Sequence, residues 1–219
     1  RPLTCAFFLL GAVTVVAQPH LTDSNRIPPA VKAVTKHSVI IGGKVINYTA
    51  TAGALLLLNE KEDTVALYGY TAYVKDGEAD ATKRPVTFSK MVDNNNSILD
   101  VSDIVMIDPV GTGLSRAAGK AKNKDFWGVD QDIKSVSQFI KQYIKDNARW
   151  NSPKYLLGES YGTMRSAGVV DYLQENMGIS MNGVILVSVV LDLRTLTFQQ
   201  GDDISYVMHL PTYAATAWY

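Results

Sequence analysis

The chain is short of the residues that build covalent and metal-bound frameworks. It has one cysteine, Cys5, in 219 residues, which excludes an intramolecular disulfide framework and a cysteine-rich zinc site. Three histidines leave few ligands for any metal, and no metal or other cofactor is expected. Charge of one sign is also lacking, since 21 basic residues stand against 21 acidic ones. That balance supplies no basic face for nucleic acid. What is abundant is apolar: 47% of the residues are hydrophobic and 19% charged, unlike the composition of a disordered segment. The length suits one domain with a sizeable core and leaves no room for a second large one.

The first residues differ in texture from the rest. Arg1 precedes an apolar run from Leu3 to Val16, broken only by Thr4, Gly11 and Thr14. Val15-Val16-Ala17 then puts small residues where a signal peptidase reads. Residues 1–17 therefore read as a secretory signal, too short to span a bilayer comfortably. The competing reading is a buried N-terminal helix. Signal removal would take Cys5 with it and leave a thiol-free chain without a stable membrane anchor, secreted or periplasmic. Residues 18–36 are polar, with Pro19, Pro28 and Pro29, and read as a linker or N-terminal arm.

From residue 37 to 219 the pattern is that of an α/β domain. Ser38–Ile41 and Lys44–Thr49 flank Gly42-Gly43, a hairpin signal. Ala54–Asn59 and Thr64–Val74 are further strand candidates, and Pro85–Phe88 a short one. Asp103–Asp108 reads as a strand buried on both faces. Asp132–Ala148 carries Ile133, Val136, Phe139, Ile140, Tyr143 and Ile144 at helical spacing. Lys154–Leu157 is a strand, and Thr163–Asn176 a helix with Gly178 placed to cap it. Gly183–Leu191 reads as a strongly buried strand. Antiparallel strands at the front and parallel βαβ units behind predict a mixed sheet covered by helices.

One motif carries chemistry. Gly158-Glu159-Ser160-Tyr161-Gly162 matches G-x-S-x-G, with a strand entering and a helix leaving. That context defines a nucleophile elbow: a sharp turn exposes the serine hydroxyl, and glycines allow close approach of neighbouring chain. The helix start points its N–H groups and positive dipole end at developing negative charge. The competing reading is a structural serine in a glycine-rich turn. A base and an acid should follow the serine. Only His209 follows it as a histidine, and Asp192 is the nearest strand-end acid. The bland readings are a polar cap residue and a strand-end residue.

These residues carry a resemblance. G-E-S-Y-G together with Asp108-Pro109-Val110-Gly111-Thr112-Gly113-Leu114-Ser115-Arg116 resembles the serine carboxypeptidase family, in a bacterial-type branch of the α/β-hydrolase fold. Lys83–Phe88, Ser97–Asp100, Asp125–Gly128, Asn182–Val184 and Leu210–Tyr219 add to it, over roughly residues 45–219. The resemblance implies that Ser160 is the acylated nucleophile and that the Tyr161 N–H is one oxyanion donor. It implies that Glu159 helps bind the C-terminal carboxylate of a peptide. Two carboxyl groups can share a site when a proton lies between them.

The chain departs from that family in two places. The family has an Asn-Gly-Gly-Pro-Gly segment after the strand matching Pro85–Phe88, supplying the other oxyanion N–H. Here Ser89-Lys90-Met91-Val92-Asp93-Asn94-Asn95-Asn96 follows instead. The sequence also stops at Trp218-Tyr219, before the family's acid and histidine. The expectation is a partial α/β-hydrolase domain, truncated at its C-terminus, that cleaves C-terminal residues by family but is inactive as it stands. An esterase on the same fold and a non-catalytic pseudoenzyme or fragment are the alternatives. Tyr206, Tyr213, Trp218 and Tyr219 are expected in the core, with a substrate pocket as the other reading.

Overall fold

The computed structural model describes residues 29–76, 94, 96–190 and 192–219, together with the backbone of residues 4–9. Their strands are β1 (Thr4–Leu9), β2 (Lys32–Ile41), β3 (Lys44–Leu58), β4 (Thr64–Lys75), β5 (Ser102–Ile107), β6 (Arg116–Ala117), β7 (Lys154–Glu159) and β8 (Gly183–Val187). Their helices are α1 (Val129–Asp146), α2 (Tyr161–Met177) and α3 (Ile204–Trp218). All eight strands join one mixed sheet, ordered β2-β3-β4-β5-β1-β7-β8, with β6 paired to β4.

The front of the sheet is antiparallel, as expected. Gly42 and Gly43 close the β2–β3 hairpin with φ of +53° and +77°, the paired positive values whose twist matches that of the flanking strands. The structure departs from the sequence reading in two details. β2 begins at Lys32, inside the expected arm, because Lys32 to Ile41 pair continuously with Gly53 to Lys44. β3 is one strand of 15 residues rather than two. The small residues Ala50 to Gly53 do not interrupt it, since they pair with β2 on one side and β4 on the other.

The back of the sheet is parallel. β1 pairs with β5 on one side and β7 on the other, and β7 pairs with β8. Thr4–Leu9 thus lies at the middle of the sheet, within the stretch expected as a signal. Pro85–Phe88, the other short strand expected here, lies outside the described residues.

α1 and α2 supply the main core. Val136, Phe139, Ile140, Tyr143 and Ile144 of α1 are buried, with Ile133 half-buried. They meet Tyr68, Tyr70, Val105 and Leu156 from the sheet and Val169 and Leu173 from α2. Tyr68, Tyr70, Phe139 and Tyr143 pack ring against ring, with centroids 5.0 to 6.0 Å apart, in the range aromatic pairs favour. α2 ends where expected: Gly178 takes φ +64° and donates its N–H to the Leu173 carbonyl, a left-handed cap.

Two expectations of burial fail. β8 is a strand only to Val187, and it lies at the outer edge of the described sheet. Val184, Ile185, Leu186 and Val187 are each 40 to 47% exposed, because β7 covers one side of the strand and nothing described covers the other. The aromatic residues near the end are also outside the core: Tyr206, Tyr213, Trp218 and Tyr219 are exposed. α3 rests on the short turn Leu193–Leu196 rather than on the sheet, so most of its perimeter meets solvent.

Two measurements test this packing. Phe139→Ala should lower stability by about 3–5 kcal/mol, the usual effect of emptying an aromatic site in a closed core, read as a fall in denaturation midpoint at constant m value. An uncapped apolar edge strand templates association. The chain should therefore elute as aggregate or oligomer, and Ile185→Lys with Val187→Lys should shift it toward monomer in light scattering.

Candidate active site

The G-x-S-x-G segment folds as a strand-to-helix turn. β7 ends at Glu159, Ser160 takes φ +55° and ψ −121°, and α2 starts at Tyr161. A non-glycine residue holds such a backbone only where its surroundings enforce it, at about 1–3 kcal/mol. Four bonds enforce it here. The Ser160 N–H donates to the Val187 carbonyl at 3.0 Å, and the Thr163 N–H donates to the Ser160 carbonyl at 2.9 Å. The Thr163 hydroxyl donates to that same carbonyl at 2.7 Å and accepts the Val190 N–H at 3.0 Å. Gly158 makes the turn possible, because a Cβ there would overlap the Gly162 carbonyl and crowd Ser166 Oγ.

The three residues predicted from the motif are therefore adjacent at the C-terminal edge of β7. Ser160 is exposed, and its hydroxyl has no hydrogen bond to another described residue. Tyr161 is the first residue of α2, where a backbone N–H has no intrahelical acceptor. Glu159 is half-buried beside them, paired through its backbone with Val187.

The candidate base and acid are engaged elsewhere. His209 lies in α3, where its Nδ1 is 2.8 Å from the Ser205 carbonyl and its ring packs between Phe198 and Tyr213. Asp192 accepts the Arg194 N–H at 2.9 Å and forms an exposed ion pair with the Arg194 guanidinium. That pairing lowers the Asp192 pKa from its ordinary value. His37 is on β2, at the far edge of the sheet, stacked on Tyr48. His20 lies outside the described residues. Among the described residues there is no cluster of three or more histidine, cysteine or acidic groups suited to a metal ion. No described helix is long and apolar enough to cross a membrane.

The loop after β5 borders the site and explains its own motif. The Asp108 carboxylate accepts the Leu114 N–H at 3.0 Å, and Ser115 Oγ accepts the Gly69 N–H at 2.6 Å. The Ser115 hydroxyl also donates to the Asp108 carbonyl. Gly111 and Gly113 take φ of +95° and +43°, and a Cβ on Gly113 would collide with the Asp108 carboxylate. The D-P-V-G-T-G-L-S segment is thus a knot tied to β4.

Sequence reasoning missed the charged pair beneath the elbow. Arg165 and Asp132 are 9% and 6% exposed, and Arg165 Nε donates to Asp132 Oδ2 at 2.7 Å. The Arg165 guanidinium also sits 5.1 Å from the centre of the Tyr161 ring, within reach of a cation–π contact. Burial raises the Tyr161 phenol pKa, helped by Asp132 and opposed by Arg165, so that phenol stays protonated and is no base near neutrality. The signal that could have found Arg165 is its spacing, four residues before Val169 and eight before Leu173 on the buried face of α2.

With this geometry in place, the chain can be set beside known proteins. No family model matches it, and no curated protein sequence matches it. Among solved structures, it is similar to Kex1Δp, a prohormone-processing carboxypeptidase from Saccharomyces cerevisiae. The identity is 14% and the TM-score 0.48, over 74% of this chain and 45% of that one. It is also similar to a provisionally named hydrolase from Agrobacterium vitis S4. There the identity is 10% and the TM-score 0.37, over 84% of this chain and 62% of that one. The chain thus spans less than two thirds of the length of either. Similarity at this level assigns no role to any residue.

Thr163→Val keeps the shape of the side chain while removing both hydroxyl bonds across the turn. It should lower stability by roughly 1–3 kcal/mol, since the Val190 N–H and Ser160 carbonyl lose a buried partner. Thermal unfolding of the variant beside Thr163→Ser, which retains the hydroxyl, checks this.

Proposed function

We propose that the protein is a serine-type acyl hydrolase of the carboxypeptidase class, with Ser160 as its nucleophile. The observation that supports this reading most is the Ser160 backbone itself, held at φ +55° between β7 and α2 with its hydroxyl exposed. Enforced strain at an exposed serine is what a nucleophile elbow requires, and a merely structural serine gains nothing from it. In this reading the substrate is the C-terminal end of a peptide. Ser160 Oγ attacks the last peptide carbonyl and passes its proton to a base. The Tyr161 N–H stabilises the oxyanion, the terminal residue leaves as the amine, and water hydrolyses the acyl-enzyme. Glu159 lies beside the nucleophile, where a protonated carboxyl group would hold the terminal carboxylate. An α/β-hydrolase architecture accords with the mixed sheet and the elbow, and export with the apolar run of residues 3–16.

The described residues do not supply the base. A serine without one is a weak nucleophile at its free pKa, and loss of one oxyanion donor lowers the rate by about 10²–10³. The 219-residue chain should therefore react slowly. A fluorophosphonate probe should label it over hours, at Ser160 alone, and Ser160→Ala should abolish the label. Labelling that survives Ser160→Ala would overturn the assignment of the nucleophile. Rapid labelling, complete within seconds, would overturn the claim that the described residues supply no base. Release of p-nitrophenol from an ester, without cleavage of a blocked dipeptide, would favour an esterase on the same elbow.

A further inference from the structure

A cavity of about 230 Å³ opens beside the elbow, lined by Pro109, Phe126, Trp127 and Tyr161, with Asp132 and Arg165 at its polar end. Phe126, Trp127 and Tyr161 give it an aromatic wall, and Val110 and Thr112 complete the lining. The polar end is the buried ion pair, joined only through Arg165 Nε and Asp132 Oδ2. The outer nitrogens of Arg165 and the second oxygen of Asp132 have no hydrogen bond to another described residue. A set of donors and an acceptor, on side chains no more than 9% exposed, thus stand side by side in a pocket whose wall includes the residue after the nucleophile.

Buried polar groups of this kind call for a partner, and the pair restricts which one. A carboxylate would meet Arg165 favourably but Asp132 unfavourably. An ammonium would do the reverse, so both charges are selected against. A hydroxyl both donates and accepts and can satisfy the two groups together. The aromatic walls favour a ring beneath that hydroxyl, in offset or edge contact with Trp127 or Tyr161. We propose that this cavity is a side-chain subsite for tyrosine next to the bond that Ser160 attacks. The position of the bond rests on Ser160 being the nucleophile; the affinity for the side chain does not.

A binding experiment separates the two. Trp127 is 69% exposed at the cavity lip, and its indole N–H is a nuclear magnetic resonance reporter, assigned by its loss in Trp127→Phe. N-acetyl-tyrosinamide, added to the Ser160→Ala chain, should shift that resonance and saturate at about tenfold lower concentration than N-acetyl-phenylalaninamide. That difference is the usual effect of pairing a buried charged group. The acetylated amide of glutamine tests whether the ring is needed, and should bind at least tenfold more weakly than the tyrosine compound. Arg165→Met with Asp132→Leu removes both polar groups together and should make tyrosine and phenylalanine equal. Equal saturation by the two in the unaltered pocket would overturn the proposal, as would an unmoved Trp127 signal. These readings come from the Ser160→Ala chain, so a misfolded double variant leaves them intact. A shifted Trp127 signal without acylation of Ser160 would retain the subsite and reject the hydrolase; acylation with an unmoved signal would do the opposite.

Discussion

The site depends on one backbone conformation, that of Ser160. An L-residue at φ +55° relaxes unless its neighbours prevent it. Here the carbonyl of Val187, the hydroxyl of Thr163 and the missing side chain of Gly158 prevent it together. Each comes from a different element, so the turn holds only when β7, β8 and α2 are docked. The exposed hydroxyl and the N–H groups at the start of α2 are then aimed by the fold and not by flexible side chains.

The same docking accounts for the buried charges. α1 and α2 lie side by side over the sheet, and each brings one charged residue to the seam, Asp132 and Arg165. Either alone would be an uncompensated charge of several kcal/mol; together they are tolerated, and they hold Tyr161 through the stacked guanidinium. Asp103 and Arg149 make a second pair at the other end of β5, 2.7 Å apart. Burial raises the Asp103 pKa although Arg149 opposes it.

Much of this was legible in the chain. The helix of residues 129–146 shows its buried stripe as spacing, and Gly178 marks the end of α2 because a left-handed cap needs glycine. The elbow is legible because its chemistry is local: strand, five residues, helix. The unread parts are those set by distant partners. An apolar run such as Gly183–Leu191 reads alike whether its strand lies inside a sheet or at its edge, and β8 is at the edge of the described sheet. α3 forms despite Pro211, which lies inside it, although proline opposes a helix interior. The Asp132–Arg165 pair joins positions 33 residues apart, beyond the reach of any motif.

β1 occupies the gap between β5 and β7, parallel to both. Antiparallel hairpins can close as they are made, but this strand must wait for partners almost a hundred and a hundred and fifty residues later. Its ladder is complete only once both β5 and β7 have been made. Until then its amides are open to any chaperone or translocation machinery that reads extended apolar chain. Once docked, these six residues lock the two halves of the sheet together.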